Sequence, residues 1–168
     1  MLYKKNGKWY NFSMKNINIV LWEPEIPQNT GNIARTCVVT NSRLHVIKPM
    51  GFSLDEKHIR RAGLDYWKYL DLSIYESIEE LWERYPEGEY HYFSTKVGNL
   101  MSETVFGPEP FLVFGKETAG LPKELLDRFP DQTVRIPMYE DRRCLNLSNA
   151  VCVGVYEALR QNDYPGLG

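Results

Sequence analysis

The fold class this sequence predicts is α/β, with a mostly parallel sheet flanked by helices. Two observations carry that expectation. Short β-branched or aromatic runs, punctuated by Pro and Gly, alternate with helical patterns along the whole chain. The length, 168 residues, suits one domain with a single sizeable core.

Taken in order, Asn16–Trp22 (NINIVLW) reads as a buried strand, followed by the Pro-punctuated loop Glu23–Asn29. Thr30–Asn41 is predicted as a helix capped by Asn29 or Thr30. Its inner face carries Ile33, Ala34, Cys37 and Val38, so Asn32, Arg35 and Thr36 project from the other side. Leu44–Ile47 is a second strand, stopped by Pro49-Met50-Gly51. Asp55–Gly63 is predicted as a short helix carrying Lys57, His58, Arg60 and Arg61. A strand over Tyr69–Ile74 follows, then a helix over Ser77–Tyr85 with Ser77 as cap and Glu80 three residues on. Tyr90–Ser94, Phe111–Phe114 and Thr133–Ile136 are further strands. Pro122–Arg128 is a helix with Pro at its start, and Leu145–Gln161 is the long last helix. Residues 14–168 make one domain, and residues 1–13 are predicted to be a disordered extension ahead of the first strand.

The last helix is apolar almost all round, with Val151, Val153, Val155, Tyr156 and Leu159. Such a helix has to be covered on every side. Ala150, Gly154 and Ala158 add a smooth stripe at four-residue spacing. A second copy of the chain packed on this helix is expected; a central core helix within one subunit is the plainer alternative.

Composition narrows the function classes. Hydrophobic residues make up 43% and charged residues 25%, a globular balance. No run approaches the ~20 apolar residues of a membrane span, and the N-terminus has no apolar signal core, so no membrane partner and a cytoplasmic location are expected. The three cysteines (Cys37, Cys144, Cys152) include no CxxC pair and the three histidines are scattered, so no metal is expected. A net charge of −2 means that any RNA contact depends on a local basic patch.

Three segments carry chemistry. In Pro27–Arg35 (PQNTGNIAR), amides and an arginine gather at a helix start, a place suited to an anion or a ribose. In Phe111–Leu121 (FLVFGKETAGL), a buried strand runs into a Gly-containing loop and a helix, where ligands of open α/β sheets bind. The spacing is not that of a P-loop and there is no GxGxxG, so neither a nucleoside triphosphate nor a nicotinamide is supported. In the third, Ile136-Pro137-Met138 precedes Leu145-Asn146-Leu147-Ser148-Asn149, which holds more polar groups than a helix cap needs.

The order NTGNIAR, FGKETAGL, IPM and LNLSNAV resembles the three motifs of the SPOUT methyltransferases. Pro24–Asn32 (PEIPQNTGN) and Arg60–Tyr66 (RRAGLDY) resemble the TrmL (YibK-like) family of tRNA wobble 2′-O-methyltransferases, over essentially Ile17 to Gln161. The resemblance implies a SPOUT fold with a C-terminal trefoil knot, a homodimer and S-adenosyl-L-methionine (SAM) as cofactor. It implies methylation of the ribose 2′-OH of the wobble cytidine or uridine in the anticodon stem-loop of tRNA, leucine tRNAs in particular. By matching positions, SAM contacts fall on Phe93, Gly115, Ile136, Cys144 and Leu145; Cys144 departs from the small hydroxyl residue of many relatives. Arg35 matches the family's catalytic arginine, with Ser148 and Asn149 as orienting residues. As a guanidinium with a pKa above ~12, Arg35 serves as a base only if strongly perturbed, and otherwise as an electrostatic stabiliser. Asn32, Arg60 and Arg61 are the expected substrate contacts, with Lys57, His58, Arg142 and Arg143 nearby in the sequence. The alternatives are a 2′-O-methyltransferase of another RNA, or a non-catalytic SAM- and RNA-binding module.

Overall fold

Seven strands form one sheet in which every pairing is parallel: β3 (Asn18–Trp22), β4 (Arg43–Ile47), β5 (Asp71–Tyr75), β6 (Tyr90–Phe93), β7 (Asn99–Leu100), β8 (Phe111–Gly115) and β9 (Thr133–Arg135), in the order β5-β4-β3-β8-β6-β9-β7. The structure is a computed structural model that describes residues 2–5, 8–11, 17–52, 65–139 and 144–168. Among the described residues four α-helices accompany it: α1 (Pro27–Val39), α2 (Ile78–Arg84), α3 (Lys123–Arg128) and α4 (Leu147–Gln161). None of the described helices is long and apolar enough to cross a membrane. The helix expected over Asp55–Gly63 lies outside the described residues.

The two-residue period of the strands sorts the core into two layers. Ile19 and Leu21 of β3, with Leu112 and Phe114 of β8, pack against Ile33 and Cys37 of α1 and Val151 and Val155 of α4. Val20, Phe111 and Val113 point the other way, towards Ile78 and Leu81 of α2 and Leu125 of α3. Burial on both faces explains why these strands read as unbroken apolar runs.

Connectivity sets where the switch point of the sheet falls. From β3 the chain moves to β4 and β5 on one side; from β8 it crosses to β9 on the other. The carboxyl ends of β3 and β8 are therefore the point where strand order reverses.

Several expectations change. Within the segment 1–13, Leu2–Lys5 (β1) and Lys8–Asn11 (β2) pair antiparallel, with Tyr3 opposite Tyr10. Helix α1 begins at Pro27 rather than Thr30, because a first-turn Pro needs no N–H partner. Asn29 and Thr30 are buried within that turn, and neither caps it; Ile26 is the N-cap residue and makes no side-chain cap. Tyr69 belongs to a 3-10 turn over Asp65–Tyr69, and the strand runs on to Tyr75, whose side chain is buried. Ser77 caps α2 as expected, accepting from the Glu80 N–H at 3.4 Å.

The last helix has a polar side after all. Asn149 and Arg160 are exposed, and Arg160 pairs with Glu157 at 2.9 Å. Gly154 faces inward, not towards a second copy: a Cβ there would lie 3.0 Å from Cζ of Phe114 and 3.2 Å from Cζ of Phe93. The small-residue stripe thus lets α4 approach its own sheet. Val153 and Tyr156 are what remain apolar outside, at 41% and 44% exposure.

Candidate active site

Two loops leave the sheet side by side, one after β3 and one after β8, and three sets of side-chain contacts stitch them together. Lys116 pairs with Glu23, and that contact raises the pKa of the ammonium. Glu25 accepts from the Thr118 N–H at 3.0 Å and from its hydroxyl at 2.8 Å. Glu117 reaches back to the start of α1. Its carboxylate accepts from the Glu25 N–H at 2.9 Å, the Ile26 N–H at 3.2 Å and Asn29 Nδ2 at 3.2 Å. A carboxylate at a helix N-terminus, bound to N–H groups that lack helical partners, does the work of a cap. The cap that α1 lacks locally thus comes from the second motif.

The network continues into the third motif. Asn29 Oδ1 accepts from Asn146 Nδ2 at 2.9 Å, and Asn146 Oδ1 accepts from the Ser148 N–H at 2.9 Å and its hydroxyl at 2.7 Å. Asn146 is the N-cap of α4. Glu117, Asn29, Asn146 and Ser148 therefore form one chain of hydrogen bonds across all three motifs. Asn29 and Asn146 each donate through Nδ2 and accept through Oδ1, which ties the three motifs into one network.

Beside this network, at the carboxyl ends of β6, β8 and β9, lies a cavity of about 1030 Å³. All five residues expected to hold the cofactor line it: Phe93, Gly115, Ile136, Cys144 and Leu145. Its volume suffices for a cofactor-sized molecule, since ligand pockets span ~300–1000 Å³. Phe93 and Phe114 stack at 4.2 Å between centroids and give it an apolar wall. The loop Gly115–Gly120 supplies backbone groups on the other side. Gly115 has φ +112°, and a Cβ on it would sit 2.4 Å from the Trp22 carbonyl oxygen, so a glycine is required there by the neighbouring strand. Gly120, at φ +74°, has open space where a Cβ would stand. An apolar wall of Phe93 and Phe114, with the loop Gly115–Gly120 also lining the cavity, leaves room for a flat ring system against the aromatic side.

The expected catalytic residues lie elsewhere. Arg35, Asn32, Ser148 and Asn149 are not among the cavity lining. Arg35 is exposed on α1, with its guanidinium carbon 4.9 Å from the centroid of the Tyr66 ring. Asn32 is exposed on the same helix, and Asn149 on α4. Ser148 is buried and holds Asn146 rather than Arg35. Arg60 and Arg61, with Lys57, His58, Arg142 and Arg143, lie outside the described residues. Among the described residues no three His, Cys, Asp or Glu side chains cluster as a metal site would require. Sequence reasoning missed Asn29 as a network member and Tyr66 altogether. The excess of amides in the third motif hinted at the first; the RRAGLDY stretch contained the second.

A parallel α/β domain with its ligand cavity at the switch point is the class that fold and site define. Within that class, residues 16–156 match the SpoU rRNA Methylase family, and the chain belongs to it. The chain is 48% identical over 151 residues to the tRNA (cytidine(34)-2′-O)-methyltransferase of Escherichia coli (strain K12), covering 89% of this chain and 96% of that one. A solved structure concerned with the 2-OH methylation of C/U34 on tRNA superposes with a TM-score of 0.81 at 44% identity, covering 88% of this chain and 96% of the other. A SpoU methyltransferase from Streptomyces viridochromogenes, in complex with AdoMet, superposes with a TM-score of 0.75 at 25% identity over 89% of this chain and 59% of its own.

Proposed function

We propose that this protein is a SAM-dependent tRNA 2′-O-ribose methyltransferase acting on the wobble cytidine or uridine, with leucine tRNAs as the expected substrates. The observation that carries the reading is the convergence of Phe93, Gly115, Ile136, Cys144 and Leu145 on one cavity at the switch point. The likeness to relatives named for that reaction supports the choice of substrate.

SAM supplies a methyl group on a sulfonium, already a strong leaving group. The protein's task is alignment and removal of the hydroxyl proton. Phe93, Ile136 and Leu145 exclude water and hold the cofactor; the Glu117–Asn29–Asn146–Ser148 network fixes the loops that shape its seat. Arg35 sets its N–H donors against the ribose 2′-oxygen, whose proton passes to solvent water at this exposed position, with Asn32, Asn149, Arg60 and Arg61 on the surrounding RNA. Arg35 stands outside the cavity of its own chain, which supports a homodimer in which one subunit's Arg35 meets the other's cavity. The exposed Val153 and Tyr156 on α4 are the proposed contact. The trefoil knot and the cytoplasmic location belong to the same reading.

Calorimetric titration with SAM, followed by transfer of labelled methyl to tRNA, tests it. Saturable one-to-one binding and transfer are expected. Binding without transfer to any RNA returns the non-catalytic module, and no binding overturns the cofactor site.

A further inference from the structure

We infer that Tyr66 is the positioning residue for Arg35, holding its guanidinium by stacking while leaving all its N–H donors for the RNA. The inference rests on the reading of Arg35 as the residue set against the ribose.

Arg35 is exposed, and an exposed arginine samples many rotamers. Enzymes usually fix such a side chain with a carboxylate. That solution occupies two donors and offsets the charge, which would weaken a group meant for an oxyanion. Among the described residues no carboxylate pairs with Arg35. What it has is the face of Tyr66, 4.9 Å from ring centroid to guanidinium carbon. A cation–π contact takes up none of the five guanidinium N–H donors in a hydrogen bond, so they stay available.

The ring is itself held. The Tyr66 hydroxyl donates to the Gly31 carbonyl at 2.9 Å, four residues before Arg35 on α1 and on the same side of the helix. Tyr66 and its neighbour Trp67 pack against the core layer that includes Ile33 and Cys37. One tyrosine thus touches α1 at two points a turn apart, through its oxygen and through its ring. The ring belongs to the 3-10 turn Asp65–Tyr69, so the turn and the arginine are set together.

The test replaces Tyr66 with Phe, with Leu, and with phenylalanines carrying increasing numbers of fluorine atoms. Fluorination keeps the shape of the ring and drains its face of negative potential. Tyr66→Phe is expected to retain at least half of kcat. Tyr66→Leu is expected to lose about tenfold in kcat, with KM for tRNA and SAM affinity within twofold. Along the fluorinated series kcat should fall stepwise at constant thermal midpoint, a response that a merely structural ring would not give. A flat series, a fall confined to KM, or a Tyr66→Phe loss equal to that of Tyr66→Leu overturns the inference. If Tyr66→Leu does not fold, the fluorinated series decides alone. Arg35→Ala is measured beside them: if it keeps more than a tenth of wild-type turnover, the role of Arg35 itself is wrong. Loss in Arg35→Ala with a flat fluorinated series removes Tyr66 alone.

Discussion

Asn29 and Glu117, 88 residues apart in the chain, meet at a 3.2 Å hydrogen bond from Nδ2 to Oε1. That bond joins the helix start after β3 to the loop after β8. It is one of three that the Glu117 carboxylate accepts. Glu117→Gln keeps the shape but turns an NH₂ towards donors. The expected result is a stability loss of about 1–2 kcal/mol by denaturant unfolding, with SAM affinity down about tenfold. An unchanged affinity would show that the network does not shape the cofactor seat.

Gly115 shows how the cavity depends on its neighbour. Any side chain there collides with the Trp22 carbonyl before it reaches a ligand. Gly115→Val is therefore expected to displace the loop and destabilise the fold by more than about 1 kcal/mol, besides losing SAM. Gly120→Ala, with open space beside it, should cost about 1 kcal/mol at most. Equal stability of the two variants in a urea titration would contradict the clash.

His45 gives the fold a pH dependence. Burial, reinforced by Arg43, lowers its pKa from 6.5 to about 4. Asn18 Nδ2 donates to the Glu109 carbonyl, so its Oδ1 faces His45 and accepts from Nε2 at 3.2 Å, leaving Nδ1 to accept from the Tyr75 hydroxyl at 3.2 Å. The native state thus holds a neutral ring. Below pH 6.5 the unfolded chain takes up a proton that the folded chain refuses until about pH 4. Stability should fall across that window by about 3 kcal/mol, at ~1.4 per pH unit. Unfolding measured at several pH values should show this slope, and it should flatten in His45→Gln. An equal slope in the variant would assign it to other groups.

For the dimer, the informative residues are Val153 and Tyr156. On the proposed homodimer, Glu at both positions is expected to give a folded, inactive monomer in sedimentation. Gly154→Leu tests something else: it overpacks Phe93 and Phe114, at about 1–3 kcal/mol. A double Glu variant that stays dimeric and active would refute the proposed contact.

Much of this was legible in the sequence. The strands announced themselves because burial on both faces makes them uniformly apolar, and the family resemblance named five residues that line one cavity. Helix α1 was misplaced by three residues because the first-turn Pro27 reads as part of the loop, and its capping carboxylate, Glu117, lies far away in the chain. The all-apolar look of α4 misled in the same way. Small residues that suggested a second subunit serve close packing on Phe93 and Phe114. Tyr66 was invisible because a stacking partner carries no spacing signature.

The central claim is transfer of a methyl group to the ribose of the wobble nucleotide. Mass spectrometry of nuclease-digested tRNA, after incubation with SAM and either wild type or Arg35→Ala, tests it most directly. The account predicts one added methyl on the ribose of C34 or U34 with the wild type, and less than about a tenth of that with Arg35→Ala, a barrier rise above ~1.4 kcal/mol. A methyl on a base, on another nucleotide, or undiminished in Arg35→Ala would contradict it.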